Sequence, residues 1–206
     1  MSQSLHSYSI KKFAASIRVT LILSFIYLAL FLIDLFIGNN IVFNALSGSG
    51  FGKLNGQIYR VFTASFLHSG WLHLTANIAA FVCIGTLIEK RLGHLNFLTV
   101  FLASDILASI VFYGYFSECS NGNGSSIVIY ALIAVLLVLW LRYPNSFPYR
   151  WYHPAFVYIT FYFLAASFIS GSYTTIILHA FSFSVGLVIG ILEIQLKLLN
   201  ANVNKT

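Results

Sequence analysis

The chain has 206 residues, of which 59% are hydrophobic and 8% charged, with a mean hydropathy of +0.86 and a formal net charge of +6. Soluble domains carry roughly a quarter charged residues, so this apolar excess excludes a small water-soluble fold, and it equally excludes disorder. Two cysteines, Cys83 and Cys119, exclude a disulfide scaffold, and the basic balance reads as loop charge on a membrane protein rather than as nucleic-acid binding.

A bilayer core of about 30 Å takes roughly 20 apolar residues per helix. The sequence predicts six such spans, and hence an all-α, six-transmembrane-helix bundle in the lipid bilayer. In chain order they run from Val19 to Ile37, Leu72 to Ile88, Leu95 to Phe116, Ser126 to Leu141, Pro154 to Ile169 and Thr175 to Leu196. The first is too long for a signal-peptide core and lacks a small-residue cleavage site. The second and fourth look short, so their ends are expected inside the protein. The connection from Gly38 to Thr63 is the longest. Its Ser47-Gly48-Ser49-Gly50 run marks turns, and its apolar residues place it on or in the outer leaflet. The expected division is a tail over 1–18, a six-span domain over 19–199 and a tail over 200–206.

The cations set an orientation. Lys11, Lys12, Arg18, Lys90, Arg91, Arg142, Arg150, Lys197 and Lys205 fall on one side of a six-span chain, and only Lys53 and Arg60 fall on the other. The positive-inside rule then makes both tails cytoplasmic in a multi-pass plasma-membrane protein.

Polar residues inside a bilayer are costly and default to functional hypotheses. His73 and Asn77 lie four apart near the outer end of span 2, on one helical face. Ser126 opens span 4 from the same side, and His179 sits about one turn into span 6. Four polar groups on three spans therefore converge on the outer leaflet. A serine and a histidine at matched depth suit a nucleophile and its general base. His73, Asn77 and the Ser126 backbone N–H suit the donors that an oxyanion needs. The competing reading is structural, with serine as interhelical packing and histidine as a satisfied hydrogen-bonding residue. His68, His73 and His179 have no Cys or carboxylate at ligand spacing, so no metal site is expected. Asp34 and Asp105 lack the setting of an aspartyl protease, and Asp105 is read as a hydrogen-bonded contact within the bundle. A transporter would need paired midplane charges or broken inverted repeats, and neither is present.

These residues resemble a known family. His68-Ser-Gly-Trp-Leu-His73-Leu-Thr-Ala-Asn77 resembles the H-x4-H-x3-N pattern of the rhomboid intramembrane serine proteases, of the six-span bacterial type. Glu89-Lys-Arg-Leu-Gly93 resembles the family's E-x-x-x-G run, and Tyr59-Arg60 stands where rhomboids carry Trp-Arg. Gly124-Ser125-Ser126 resembles the G-x-S nucleophile motif, with Tyr130 as the aromatic four residues on. His179, Ser182 and Gly186 resemble the last-span motif, with Ser182 in place of its first glycine. The resemblance implies a Ser126–His179 dyad without a third acid, His73 and Asn77 as oxyanion donors, and Gly124, Tyr130, His68 and Arg60 in support. It implies no cofactor, lateral entry beside span 5, and single-span membrane proteins as substrates. The runner-up is an inactive rhomboid-like protein that binds membrane-protein clients. One departure bears on activity: Ile127 follows the serine where the family usually has glycine, and is expected to push Ser126 away from His179.

Overall fold

The computed structural model describes residues 11–147, 153–169 and 172–196. Arg150, Lys197, Lys205 and residues 1–10 and 200–206 of the expected tails lie outside them. After a helical stretch over 11–15, the named helices are α1 (Arg18–Ile37), α2 (Ile41–Leu46), α3 (Arg60–Thr63), α4 (Trp71–Leu92), α5 (His94–Tyr115), α6 (Ser126–Arg142), α7 (Pro154–Ile169) and α8 (Tyr173–Gln195). The described residues form an all-α bundle. Four of the helices, α1, α4, α5 and α8, are long and apolar enough to cross a membrane; α6 and α7 are shorter apolar helices.

The helix α6 lies at the centre. Every residue from Ser126 to Leu136 is buried, as expected for a helix that is apolar on all faces. It packs against α8, α5 and α4, while α1 and α7 pack on α4. The α6–α8 pair is the tightest crossing. A Cβ at Gly186 would lie 2.1 Å from the Ala131 carbonyl oxygen, and one at Gly190 would lie 2.9 Å from Val138 Cβ. Glycine at these two positions lets the backbones meet, the usual device of helix pairs in lipid. The rest of the core is built from Tyr27, Phe81, Phe97 and Phe101, all fully buried.

The helix α4 is longer than its hydrophobic run. It continues through Glu89, Lys90 and Arg91 to Leu92, where the sequence reading ended it at Ile88 and took it as short. The reason is local. Glu89 is buried, and its carboxylate accepts the backbone N–H groups of Val19 and Thr20 at 2.8 Å each and the Thr20 hydroxyl at 2.6 Å. A negative group on the first turn of α1 satisfies N–H donors that the helix itself leaves open. His94 Nδ1 lies 2.6 Å from the same carboxylate. Lys90 sits over the Phe13 ring, so the basic residues 11–18 and 90–91 share this end of the bundle.

At the opposite end, Phe51–Lys53 forms one 3₁₀ turn, but the Ser47–Gly50 run before it does not turn. That run lies extended along residues 117–122 through bonds from Gly48 N–H to Gly122 O, Gly122 N–H to Gly48 O and Gly50 N–H to Cys119 O, and Gly52 N–H donates to Ser117 O. A Cβ at Gly48 or Gly50 would collide with the Tyr113 hydroxyl or with the backbone of 116–117. Alternate glycines here serve close backbone pairing. Arg60 donates to Asn44 O at 2.8 Å and Thr63 to Leu46 O at 2.7 Å, tying α3 to α2. Asp105, fully buried, accepts the Ser65 hydroxyl at 2.9 Å, which matches its reading as a bundle contact.

Replacing Glu89 with alanine strands the buried N–H groups of Val19 and Thr20. Hydrogen bonds to charged groups contribute about 1.5–3 kcal/mol, so Glu89→Ala is expected to destabilise the chain by about 2–3 kcal/mol. The measurement is the unfolding midpoint in mild detergent.

Candidate functional site

The sequence-predicted residues gather at the end of the bundle away from Glu89. Ser126 opens α6 and is buried. His179 lies seven residues into α8 and is buried as well. The two helices run parallel, because Gly186 meets Ala131 and Gly190, four residues on, meets Val135 and Val138. That register sets His179 at the level of the α6 N-terminus. The Tyr130 ring lies flat on the His179 imidazole, with centroids 3.8 Å apart and planes within 7°. Tyr130 is four residues after Ser126, so the two side chains share a face of α6 one turn apart. The Tyr130 hydroxyl donates to Phe163 O at 2.7 Å, which anchors the ring to α7.

His73 and Asn77 stand on one face of α4 and converge on Gly124. A Cβ at Gly124 would lie 2.6 Å from His73 Nε2 and Cε1 and 3.7 Å from Asn77 Nδ2. Gly124 also has φ +106°, a conformation that L side chains rarely adopt. Glycine is therefore required twice over, for its backbone and for the space that brings both nitrogens close to the approach to Ser126. The Gly124 N–H donates to Ala64 O at 3.2 Å, and Gly122 belongs to the paired strap, so both loops hold this turn. His73 Nδ1 lies 3.4 Å from Ser69 Oγ, leaving Nε2 on the Gly124 side.

His68 sits behind His73. Its ring meets the His73 ring edge-on at 5.1 Å and the Tyr27 ring at 5.5 Å. Its Nε2 lies 3.3 Å from Ser125 Oγ, so it touches the residue before Ser126. Burial first, then the neighbouring His73, pushes the His68 pKa down to about 3, and the ring is neutral at physiological pH. Arg60 lies apart from these groups and touches Asn44 of the strapping segment.

Ile127 stands beside the α6–α8 crossing. Its side chain is buried in a cluster with Ala64, Ala108, Phe112 and Tyr113, with Leu178 and Phe181 of α8 at its edge. A cavity of about 240 Å³ adjoins this cluster, lined by Ser109, Tyr113, Asn121, Gly124, Ile127 and Thr175 among others. Ser182, in the place of a glycine, folds its hydroxyl onto Leu178 O at 2.7 Å and so adds no unpaired polar group to the crossing.

Three polar side chains escaped the sequence reading. Tyr162 of α7 donates its hydroxyl to Asn77 Oδ1. Tyr158, one turn earlier, donates to Ala76 O at 3.2 Å. Ser125 meets His68. The legible signal was the Tyr158-x3-Tyr162 spacing, two hydroxyl-tipped rings on one face of an otherwise apolar helix.

The sequence profile of the Rhomboid domain family matches residues 55–196. A 98-residue stretch is 30% identical to the putative rhomboid protease YdcA of Bacillus subtilis (strain 168), covering 48% of this chain and 49% of that protein. Rhomboid protease GlpG of Salmonella choleraesuis (strain SC-B67) is 30% identical over 92 residues, 43% of this chain and 30% of its own. Inactive RHOMBOID-like protein 8 of Arabidopsis thaliana is 28% identical over 95 residues, 45% of this chain and 27% of its own. The matches span less than half of each of these relatives.

The His68 environment has a pH consequence. Between pH about 3 and 6.5 the unfolded chain protonates this residue and the folded chain does not, so its contribution to stability is full above about 6.5 and declines as the pH falls. A His68→Gln variant is expected to lose less thermal stability than the parent between pH 7 and 4. Unfolding midpoints across that range measure it.

Proposed function

Because the chain belongs to the rhomboid family, we propose that it is an intramembrane serine endopeptidase acting through a Ser126–His179 dyad. The observation that carries the reading is the stack of Tyr130 on His179, one turn below Ser126 on the same face of α6. In this reading His179 takes the Ser126 hydroxyl proton while the oxygen bonds to the scissile carbonyl carbon. The electron pair displaced onto the carbonyl oxygen meets His73 Nε2–H, the Asn77 amide and the Ser126 backbone N–H at the start of α6. As the tetrahedral centre collapses, the C–N bond breaks and His179 returns the proton to the leaving amine. Water then repeats the sequence on the acyl-enzyme, freeing Ser126. His68, neutral and buried, supports His73 and Ser125, while Arg60 braces the segment that pairs with the 117–122 loop. Gly124 leaves room for the donors.

The substrates in this reading are single-span membrane proteins. A peptide bond in a helix is shielded by its own hydrogen bonds, so cleavage favours segments that unwind easily, entering beside α7. The chain is an integral multi-pass membrane protein. The clustering of Lys90 and Arg91 with the basic residues 11–18 supports placing that end in the cytoplasm of a plasma-membrane protein and Ser126 near the outer face. Relatives carry both protease and inactive names, so the competing function is client binding without cleavage. Retention of serine, histidine and the α6–α8 crossing favours cleavage.

The test is cleavage of a single-span reporter with small residues in its outer half, co-reconstituted in lipid vesicles. The parent is expected to cleave it, while Ser126→Ala and His179→Ala abolish cleavage and remain folded. Loss of one oxyanion donor costs about 10²–10³ in rate, so Asn77→Ala is expected to retain partial activity at that reduced level. Cleavage by Ser126→Ala at the parental rate overturns the dyad.

A further inference from the structure

We propose that Tyr162 is a positioning residue that holds the Asn77 side chain in place at the Gly124 turn, an inference that rests on the protease reading above. A primary amide has an acceptor end and a donor end of nearly equal shape. Only the donor end stabilises an oxyanion; a flipped amide would aim its carbonyl oxygen at the developing negative charge. The side chain that carries the donor end must therefore be held in place.

The structure supplies that hold from α7. Asn77 is 1% exposed and Tyr162 5% exposed, so water does not compete for either. The Tyr162 hydroxyl donates to Asn77 Oδ1. The other end, Nδ2, is buried without a hydrogen-bond partner among the described residues and lies on the Gly124 side, 3.7 Å from where a Cβ there would stand. An unmade bond at a buried donor is costly and calls for an explanation. A site held open for a transient charge is one. The hydroxyl holds the amide from α7 and leaves Nδ2 toward the Gly124 turn.

Tyr162 also sits beside the other half of the site. Its ring centroid is 6.0 Å from that of Tyr130, which stacks on His179. The helix it belongs to is tied to α4 a second time by Tyr158, whose hydroxyl reaches only the Ala76 backbone. That second tie provides an internal control: it joins the same two helices without touching the amide.

The experiment measures kcat and KM on the same reporter in vesicles for the parent, Tyr162→Phe, Tyr158→Phe, Asn77→Ala and the Tyr162→Phe/Asn77→Ala pair, with unfolding midpoints alongside. Tyr162→Phe is expected to lower kcat about 10-fold with KM within about 2-fold, because the Asn77 amide is then less firmly held. The same change is expected to have no further effect in the Asn77→Ala background, and Tyr158→Phe is expected to keep the parental kcat. Parental kcat in Tyr162→Phe overturns the inference. So does an undiminished loss in the Asn77→Ala background, or an equal loss in Tyr158→Phe, which would mark a helix latch. If the parent itself cleaves nothing, the protease reading falls and takes this one with it; if the parent cleaves and Tyr162→Phe matches it, only the positioning role falls.

Discussion

The backbone contact between α6 and α8 is the constraint on which the site depends. Gly186 against the Ala131 carbonyl and Gly190 against Val138 leave no room for side chains at those two positions. That approach fixes the register of two parallel helices, and the register sets the level of everything above it. His179 comes level with the first turn of α6, where Tyr130 can lie flat on it. The helix α6 is enclosed from Ser126 to Leu136, so the proposed nucleophile sits on a fixed element. A misplacement of about 1 Å can cost 10²-fold in rate, so a rigid crossing matters more than any single contact at the site itself.

The remaining parts hold the two ends of that crossing. At one end the Glu89 carboxylate ties the start of α1 to the end of α4. At the other, the glycine-rich strap pairs with the loop that leads into Ser126, and the turn at Gly124 is fixed from both sides by Ala64 and Gly122. His73 and Asn77 reach that turn from α4, and α7 reaches Asn77 through Tyr162. These two side chains thus come from α4, which packs on α6.

Much of this was legible in the sequence. The apolar runs placed all six long or apolar helices to within a few residues, because hydrophobic length is a direct consequence of the bilayer. The polar residues on spans 2, 4 and 6 stood out because lipid penalises them. Charge misled the reading at α4: Glu89, Lys90 and Arg91 looked like the end of a helix, whereas a buried carboxylate with polar contacts to Val19, Thr20 and His94 belongs inside one. Composition misled it at Ser47–Gly50, where glycine permits close pairing as readily as a turn. Ile127 stood out as a departure from the family pattern, and its side chain sits in a cluster with Ala64, Phe112 and Tyr113, with Leu178 and Phe181 of α8 at its edge. Tyr162 was hidden because an aromatic residue in an apolar helix carries no sign of what its hydroxyl touches.

The most direct measurement is fluorophosphonate labelling of the chain in lipid vesicles, with the adduct mapped by peptide mass. An activated serine held by the α6–α8 crossing predicts one adduct, on Ser126, that is lost in a Gly186→Leu variant still embedded and helical. An adduct undiminished in that variant, or none on Ser126 in the folded parent, would contradict the account.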